Sequence, residues 1–365
     1  MNESITQPAI VVNRGQEATE IISLAAMGAE RLALVGTEGG LVVLFDTSTA
    51  KLQSTLYSHG RHLMVTHVSW SAGGYIATAD ASSIIQIWAV SQDADSTMRA
   101  SQKVMEVENP SSIRRIALSP SGSKLLVCGA SSDSIHWISN ADLESAPTTS
   151  TVEDSVGMSR TWAWLPQPFA GFDLAMVSDS TLQLYQINDR TRDVSLKVKA
   201  TLTFEGSRLL SSAHKLTLTK TSKFIAVDLE TTRGAAASKL LVYCLEHIPY
   251  EVEGASDHFP CTLQPLLCLH NKMIRMFIGW HDHALVFLDT DLWICSIDMA
   301  SIKNGETRNY TRRRHFFIPY ELIGSNNGVA PILASETSIV FPREGSLSII
   351  EDALSSVFMS DEIVG

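Results

Sequence analysis

The sequence is poor in charge and contains no long apolar run. Asp, Glu, Lys and Arg together make up 18% of the 365 residues, whereas apolar residues make up 45%. A disordered chain shows the opposite balance. No stretch approaches the ~20 apolar residues that a membrane-spanning helix requires, and residues 1–12 lack a basic leader with an apolar core. We therefore expect a folded, cytoplasmic protein with no membrane contact.

Positive charge is scarce in this chain. There are 28 Lys and Arg against 39 Asp and Glu, which gives a formal net charge of −11. Such a chain repels phosphate backbones, so we expect no nucleic-acid partner. The one basic run, Arg312, Arg313 and Arg314, is predicted to be the solvated start of an edge strand, where charge discourages further pairing. Contact with a phosphate or with an acidic partner is the alternative role of this run.

Motifs for metal, nucleotide or acyl chemistry are missing. The five cysteines are odd in number and include no Cys-x-x-Cys pair, and three lie in strand-like runs (LVCGA, VYCLE and WICSI). We expect reduced, mostly buried thiols, with no disulfide and no zinc site. The sequence has no Gly-x-x-x-x-Gly-Lys-Ser/Thr loop and no Gly-x-Ser-x-Gly elbow. We therefore expect no cofactor.

What the sequence does contain is a repeated strand-rich unit. Each unit ends in an apolar strand with a bulky position, and successive bulky positions are 43, 50, 47, 58, 52 and 55 residues apart. A four-stranded propeller blade needs ~40–50 residues, so the period predicts an all-β propeller. The bulky positions are Phe45, Trp88, Ile138, Tyr185, Tyr243, Cys295 and Ile350.

Six units have four candidate strands and the last has three. The apolar segment 8–13 precedes the first unit and has no partner of its own, so pairing it with the strand at 346–351 would close the ring. In the fifth unit the predicted outer strand is TLQPLLCL (262–269). We therefore predict a single seven-bladed β-propeller over residues 1–365. Its blades are expected at approximately 21–58, 64–108, 113–153, 160–204, 212–270, 273–318 and 329–351.

One unit carries a turn typical of a known repeat. In VSDSTLQLYQI (177–187), Asp179 lies six residues before Tyr185, and this segment resembles a WD repeat. The resemblance implies that Asp179 is a structural turn residue, because in that family this Asp joins a His and a Ser or Thr in a hydrogen-bonded set that stiffens the blade. Trp88 follows a suitable His59, but the turn position holds Ser82, so we expect an incomplete set in every blade.

The C-terminal part has a more specific resemblance. RRRHFFIPYELIG (312–324) and SIVFPREGSLSIIEDAL (338–354) resemble the end of the C-terminal propeller of fungal NACHT-type (STAND) signalling ATPases, most closely over 314–319 and 341–354. Where that family often has Trp after the proline, this chain has Tyr320. The resemblance implies a sensor propeller. Because this chain lacks the nucleotide-binding loop, the ATPase would lie on another chain.

An enzymatic function is the second hypothesis. A metal-dependent hydrolase of the propeller type would act at the central channel and needs several acidic or His side chains converging there. The candidate inner strands carry few carboxylates. His281 and His283 are the sharpest metal candidates, but they fall in a predicted turn with no third ligand identifiable. We therefore predict no metal site and no catalytic activity.

Long loops on a stiff scaffold are the best place for recognition. Two such loops, 229–239 and 246–261, fall in the fifth unit. The second mixes acidic and aromatic side chains, as a contact surface would. We predict a protein-interaction or ligand-sensing scaffold with a protein partner. The candidate contact residues are Tyr250, Glu251, Glu253, Asp257, Phe259 and Arg312 to Arg314.

Overall fold

The structure is a computed structural model. It describes residues 10–13, 20–27, 31–49, 51–60, 62–92, 98–138, 149–153, 160–178, 180–203, 211–231, 239–248, 261–270, 273–302, 309–323, 331–333, 337–343, 346–355 and 359–364.

The first part of the chain forms β1 and then three sheets of four strands. β1 is Ile10–Asn13. The first sheet contains β2 (Ile21–Met27), β3 (Leu32–Thr37), β4 (Leu41–Asp46) and β5 (Lys51–Ser58). The second contains β6 (Val65–Ser71), β7 (Tyr75–Asp80), β8 (Ile84–Gln92) and β9 (Met98–Glu108). The third contains β10 (Ile113–Leu118), β11 (Lys124–Gly129), β12 (Asp133–Trp137) and β13 (Thr149–Glu153).

The middle part of the chain forms three further sheets. The fourth begins with β14 (Arg160–Phe169), β15 (Phe172–Ser178), β16 (Thr181–Asn188) and β17 (Asp193–Leu202). The fifth begins with β18 (Ser211–Leu218), β19 (Phe224–Thr231) and β20 (Lys239–Cys244). Two short strands follow, β21 (Cys261–Leu263) and β22 (Leu267–Leu269). The sixth begins with β23 (Ile274–His281), β24 (Ala284–Asp289), β25 (Trp293–Asp298) and β26 (Asn309–Phe317).

The last part of the chain supplies the seventh sheet and one added strand. β27 (Ile332–Leu333), β28 (Ile339–Arg343) and β29 (Ser346–Ile350) precede β30 (Met359–Val364). Helix is limited, among the described residues, to three 3-10 turns at Leu245–His247, Met299–Ser301 and Tyr320–Leu322. In the same part of the chain, no helix is both long and apolar enough to cross a membrane. The fold is thus an all-β, seven-bladed propeller, as the repeat predicted.

The strands are grouped into two compact units. One comprises Met1–Val156 and Ile318–Ser356, and the other comprises Gly157–Phe317 and Val357–Gly365. The first unit contains the first, second, third and seventh sheets, and the second unit contains the other three.

The seventh sheet takes its fourth strand from the start of the chain. β1 pairs antiparallel with β29, so that Ile10 lies opposite Ile350 and Asn13 lies opposite Leu347. This pairing confirms the closure expected from the unpaired apolar segment at 8–13. It also covers an edge of β29 that would otherwise present free backbone groups.

Burial follows the position of a strand in its sheet. All six residues of β3 and of β11 are buried, whereas every residue of β5 is exposed or half-buried. A strand that is covered on both faces has apolar residues at consecutive positions, whereas an outer strand mixes polar and apolar residues. Between the first two sheets the core contains Met27, Leu34, Val42, Val65 and Ile76.

The predicted outer strand TLQPLLCL is divided between two sheets. β21 runs parallel to β17 and makes a fifth strand of the fourth sheet, with Cys261 opposite Ala200. β22 pairs antiparallel with β20 and completes the fifth sheet. Pro265 lies between the two strands and has no N–H to donate to a ladder. The expectation of one continuous strand over 262–269 is therefore wrong.

The basic run is in the middle of a strand and not at the start of an edge. β26 begins at Asn309 and pairs on one side with β25, where Arg313 lies opposite Ser296. On its other side it pairs antiparallel with β30, where Arg313 lies opposite Ser360. The prediction that Arg312, Arg313 and Arg314 start an open edge strand is therefore wrong.

Candidate functional site

A buried polar set lies between the outer strand of the first sheet and the second sheet. Nδ1 of His59 is 3.0 Å from Oδ2 of Asp80, and Nε2 of His59 is 2.7 Å from Oγ1 of Thr78. The side chains of His59 and Asp80 are 0% and 1% exposed. The imidazole is thus held on both sides by groups of β7.

Asp80 also shapes the turn that follows β7. Its Oδ1 accepts hydrogen bonds from the backbone N–H groups of Ser82, at 2.8 Å, and Ile84, at 3.1 Å. Tyr57 extends the set, since its hydroxyl lies 2.9 Å from Oγ1 of Thr78 and its ring stacks on Trp88 with centroids 4.6 Å apart. The set therefore ties β5 to the turn and to both central strands of the next blade.

The expectation that this polar set is incomplete in every blade is wrong. The carboxylate comes from Asp80, two residues before the turn position that Ser82 occupies. In the sequence, the signal for Asp80 is its position at the end of the apolar segment YIATAD (75–80). A carboxylate in a buried strand needs a hydrogen-bond or charged partner. Asp179, predicted to have the same role in the fourth blade, lies outside the described residues.

The protonation state of His59 follows from its surroundings. Burial lowers the pKa of His59, although the hydrogen bond to Asp80 opposes that effect. The ring is therefore neutral near pH 7. Because a carboxylate can only accept, Nδ1 donates to Asp80, and Nε2 accepts from the Thr78 hydroxyl. With both ring nitrogens occupied and the side chain enclosed, the set can stiffen the blade but cannot exchange protons with a substrate.

A second carboxylate occupies the equivalent place in the sixth sheet. Asp289 ends β24, and its Oδ1 accepts from the backbone N–H groups of Asp291 and Trp293, both at 2.9 Å. Its Oδ2 lies 3.5 Å from Nη1 of Arg312 and 3.2 Å from Nη2 of Arg314. The Asp289 side chain is 1% exposed, so two arginines here replace the histidine of the second blade.

The three consecutive arginines have different surroundings. Arg312 and Arg314 are 14% and 15% exposed and pair with Asp289, and Arg314 also pairs with the exposed Asp291 at 2.9 Å. The guanidinium of Arg314 lies over the Trp293 ring at 5.9 Å. Arg313 is exposed. The basic run is thus not uniformly solvated: Arg312 and Arg314 are largely buried against Asp289 of β24, whereas Arg313 faces solvent.

An exposed aromatic side chain lies at the end of the same strand. Phe317 is 46% exposed and packs edge to face on Trp293, with centroids 5.9 Å apart and an interplanar angle of 67°. Among the described residues, the other large exposed apolar side chains are Leu52 and Tyr320. β26 therefore presents both an aromatic ring and a cation to solvent.

Other predicted contact residues lie in the loop before β21. Tyr250, Glu251, Glu253, Asp257 and Phe259 all fall outside the described residues. The structure therefore gives them no contacts.

The remaining candidates for metal binding or catalysis are His281, His283 and the five cysteines. His281 ends β23, and the His283 ring lies edge-on to Phe224 at 6.1 Å. Within the residues that the structure describes, no group of three or more His, Cys, Asp or Glu could hold a metal ion. No disulfide joins any of the five cysteines, all of which the structure describes, and Cys128, Cys244 and Cys295 are buried.

Comparison with known proteins supports the fold alone. No protein-family model matches the sequence, and no curated protein matches it significantly. The Cps50 (Swd1) β-propeller domain of Myceliophteria thermophila aligns with 93% of this chain and 98% of its own, at 12% identity and a TM-score of 0.62. A chain of the mitotic checkpoint complex aligns over 76% of each chain, at 16% identity and a TM-score of 0.51.

Proposed function

We propose that this protein is a non-enzymatic scaffold that binds other proteins. One observation carries the proposal: β26 presents Phe317 and Arg313 to solvent, while Arg312 and Arg314 of the same strand pair with the buried Asp289. Aromatic and Arg side chains are enriched at protein interfaces and dominate their binding energy. We call Arg313 and Phe317, with Trp293 beneath the Phe317 ring, the β26 surface.

The stiffness of the blades supports the same function. Hydrogen-bonded sets such as His59–Asp80–Thr78 fix a turn and join neighbouring strands. Buried networks of this kind, when fully satisfied, hold one arrangement of the backbone. A surface carried on such a scaffold loses little conformational entropy when a partner binds.

The loop before β21 is proposed as a second contact surface. Its sequence combines Tyr250 and Phe259 with Glu251, Glu253 and Asp257. Acidic side chains there would favour a basic partner, whereas the β26 surface would favour an acidic one. The two surfaces can therefore be separated by mutation.

A role in signalling is the more specific part of the proposal. The resemblance over 314–319 and 341–354 supports a sensor propeller that works with a NACHT-type ATPase on another chain. Five cysteines that form no disulfide support a reducing, cytoplasmic site of action. The alternative is a metal-dependent hydrolase of the propeller type, which would act at the central channel.

The test is affinity capture of the tagged full-length chain from its native host. We expect wild type to recover specific proteins, and a variant with Phe317→Ser and Arg313→Glu to recover them about tenfold less, as loss of a hot spot requires. Leu52→Ser is the matched control, because Leu52 is also a large exposed apolar residue on an outer strand, and it should recover them normally.

A variant with all five loop residues changed to Ser tests the second surface. A partner that depends on the loop should be lost from this variant and kept by the β26 variant. If wild type recovers no protein above a tag-only control, the scaffold function is wrong. If a NACHT-type ATPase is absent from the recovered proteins, the signalling role is wrong.

A further inference from the structure

We infer that the outer edge of β26 is an acceptor site for an acidic, extended segment of a protein partner, and that β30 covers this site until the partner replaces it. The inference rests on the proposed protein-binding function and names the kind of partner that one edge would take.

The pairing of β30 with β26 is regular. Six residue pairs run without a register shift, from Asn309 opposite Val364 to Arg314 opposite Met359. The other four strands of the sixth sheet follow one another in order, and β30 is added outside them. Residues 318–358, which include β27, β28 and β29, separate the two paired strands in sequence. The edge of β26 thus pairs with a strand that is distant in sequence and is not connected to it by a hairpin.

β30 is paired along one edge only, within the described part of the sixth sheet. Its sequence MSDEIV places Asp361 and Glu362 at its centre, and both are poor β-formers. Strands with few pairing partners open at lower free energy than central strands. β30 can therefore leave while β23, β24 and β25 keep their ladder.

Charge defines what the edge accepts. Asp361 of β30 lies opposite Arg312, and Ser360 lies opposite Arg313. Arg312 and Arg314 already share Asp289, but the Arg313 side chain is exposed and can meet a carboxylate. Opposite charges on paired strands stabilise a sheet, and like charges destabilise it. An incoming segment should therefore be acidic, as β30 is.

Backbone pairing explains how such a partner would bind. Strand addition to a sheet edge gains affinity from main-chain hydrogen bonds and specificity from alternate side chains. An acceptor edge six residues long suits a short extended segment without proline, since proline cannot donate to the ladder. β30 meets these requirements, so it is both the cover of the site and a template for its ligand.

The experiment uses a full-length variant with Ser360→Pro and Asp361→Pro. Neighbouring N–H groups point to opposite sides of a strand, so one of the two prolines removes a bond to β26 whichever way the pairs alternate. The probe is a fluorescein-labelled peptide with the sequence of residues 357–364, VFMSDEIV, and binding is measured by fluorescence anisotropy.

We expect the double-proline chain to bind the peptide about tenfold more tightly than wild type, whose edge is occupied. A peptide with Lys in place of both acidic residues should bind the variant about tenfold more weakly. Arg313→Glu in the double-proline chain should have a similar effect. Equal binding to wild type and variant, or no binding to a variant whose circular dichroism is unchanged, would overturn the inference.

Two further measurements cover a variant that does not fold and a second copy of the chain as the occupant. If the variant does not fold, hydrogen exchange in wild type decides, because a removable β30 should exchange about tenfold faster than β25, and equal protection would reject it. Concentration-dependent dimers in sedimentation would show that the occupant is β30 of a second copy and not a partner. The peptide assay needs no native partner, so its failure leaves the scaffold function to be judged by affinity capture.

Discussion

Nδ1 of His59 donates to Oδ2 of Asp80 across 3.0 Å, and neither side chain has contact with solvent. The two residues are 21 positions apart and belong to different sheets, the histidine following β5 and the carboxylate ending β7. One buried carboxylate thereby holds an imidazole from the neighbouring blade and two backbone N–H groups of its own turn.

Replacing Asp80 with Ala should be strongly destabilising. His59 would keep a buried N–H without its acceptor, and the N–H groups of Ser82 and Ile84 would lose theirs, so we expect the free energy of unfolding to fall by about 3 kcal/mol. Urea denaturation measures the change. Asp46→Ala is the control, because Asp46 also caps a turn through Ser48 but near the surface, and it should cost about 1 kcal/mol or less. Equal losses in the two variants would contradict the role given to Asp80.

Acidic pH should destabilise the protein through its buried histidines. Burial lowers the pKa of His136 from 6.5 to about 4, so the folded state binds fewer protons than the unfolded state. This stabilisation is complete above pH 6.5 and is lost as the pH falls toward 4. For His136 alone the loss between pH 7.5 and pH 5 is about 2 kcal/mol. His59 adds a loss of the same sign, because burial lowers its pKa also.

Urea denaturation at the two pH values tests this expectation. His136→Gln should reduce the difference between the two unfolding free energies by about 2 kcal/mol, whatever its effect at either pH. An unchanged difference would show that His136 is not the group responsible.

Two neighbouring carboxylates of the sixth blade should respond very differently to truncation. Asp289→Ala removes the buried partner that Arg312 and Arg314 share, and breaking a buried ion pair costs about 3 kcal/mol or more. Asp291→Ala removes a partner of Arg314 that is 67% exposed, and such pairs contribute about 1 kcal/mol or less. Thermal and urea unfolding should separate the two variants. A loss of more than about 2 kcal/mol for Asp291→Ala would contradict this ranking.

Two glycines should disfavour alanine for different reasons. At Gly36 an added Cβ would lie 2.6 Å from Cγ1 of Val65 and closer still to Oγ of Ser23, so Gly36→Ala should cost about 2 kcal/mol through overpacking. At Gly171 the φ of +83° is unfavourable for alanine, but the nearest atom, Nε2 of Gln186, is 3.8 Å away. Gly171→Ala should cost only about 1 kcal/mol. The reverse order in urea unfolding would show that backbone strain outweighs packing here.

The fold of this protein could be predicted from its amino-acid sequence. A strand that is buried on both faces is apolar at consecutive positions. Each of the seven units contains such a segment, for example LVVLFD in the first, and its two faces can be buried only if neighbouring units pack against it. The pairing of β1 with β29 could also be predicted, because the segment at 8–13 and the three-stranded last unit each lacked a partner.

The polar groups that meet and the strand edges that are covered could not be predicted in this way. Asp289 is 23 residues from Arg312, and β26 is separated from β30 by three other strands. The apolar pattern is local, since it depends on the side of a strand to which each residue points. These ion pairs and the added strand depend on the order and register of the strands within a sheet, which a period in the sequence does not contain.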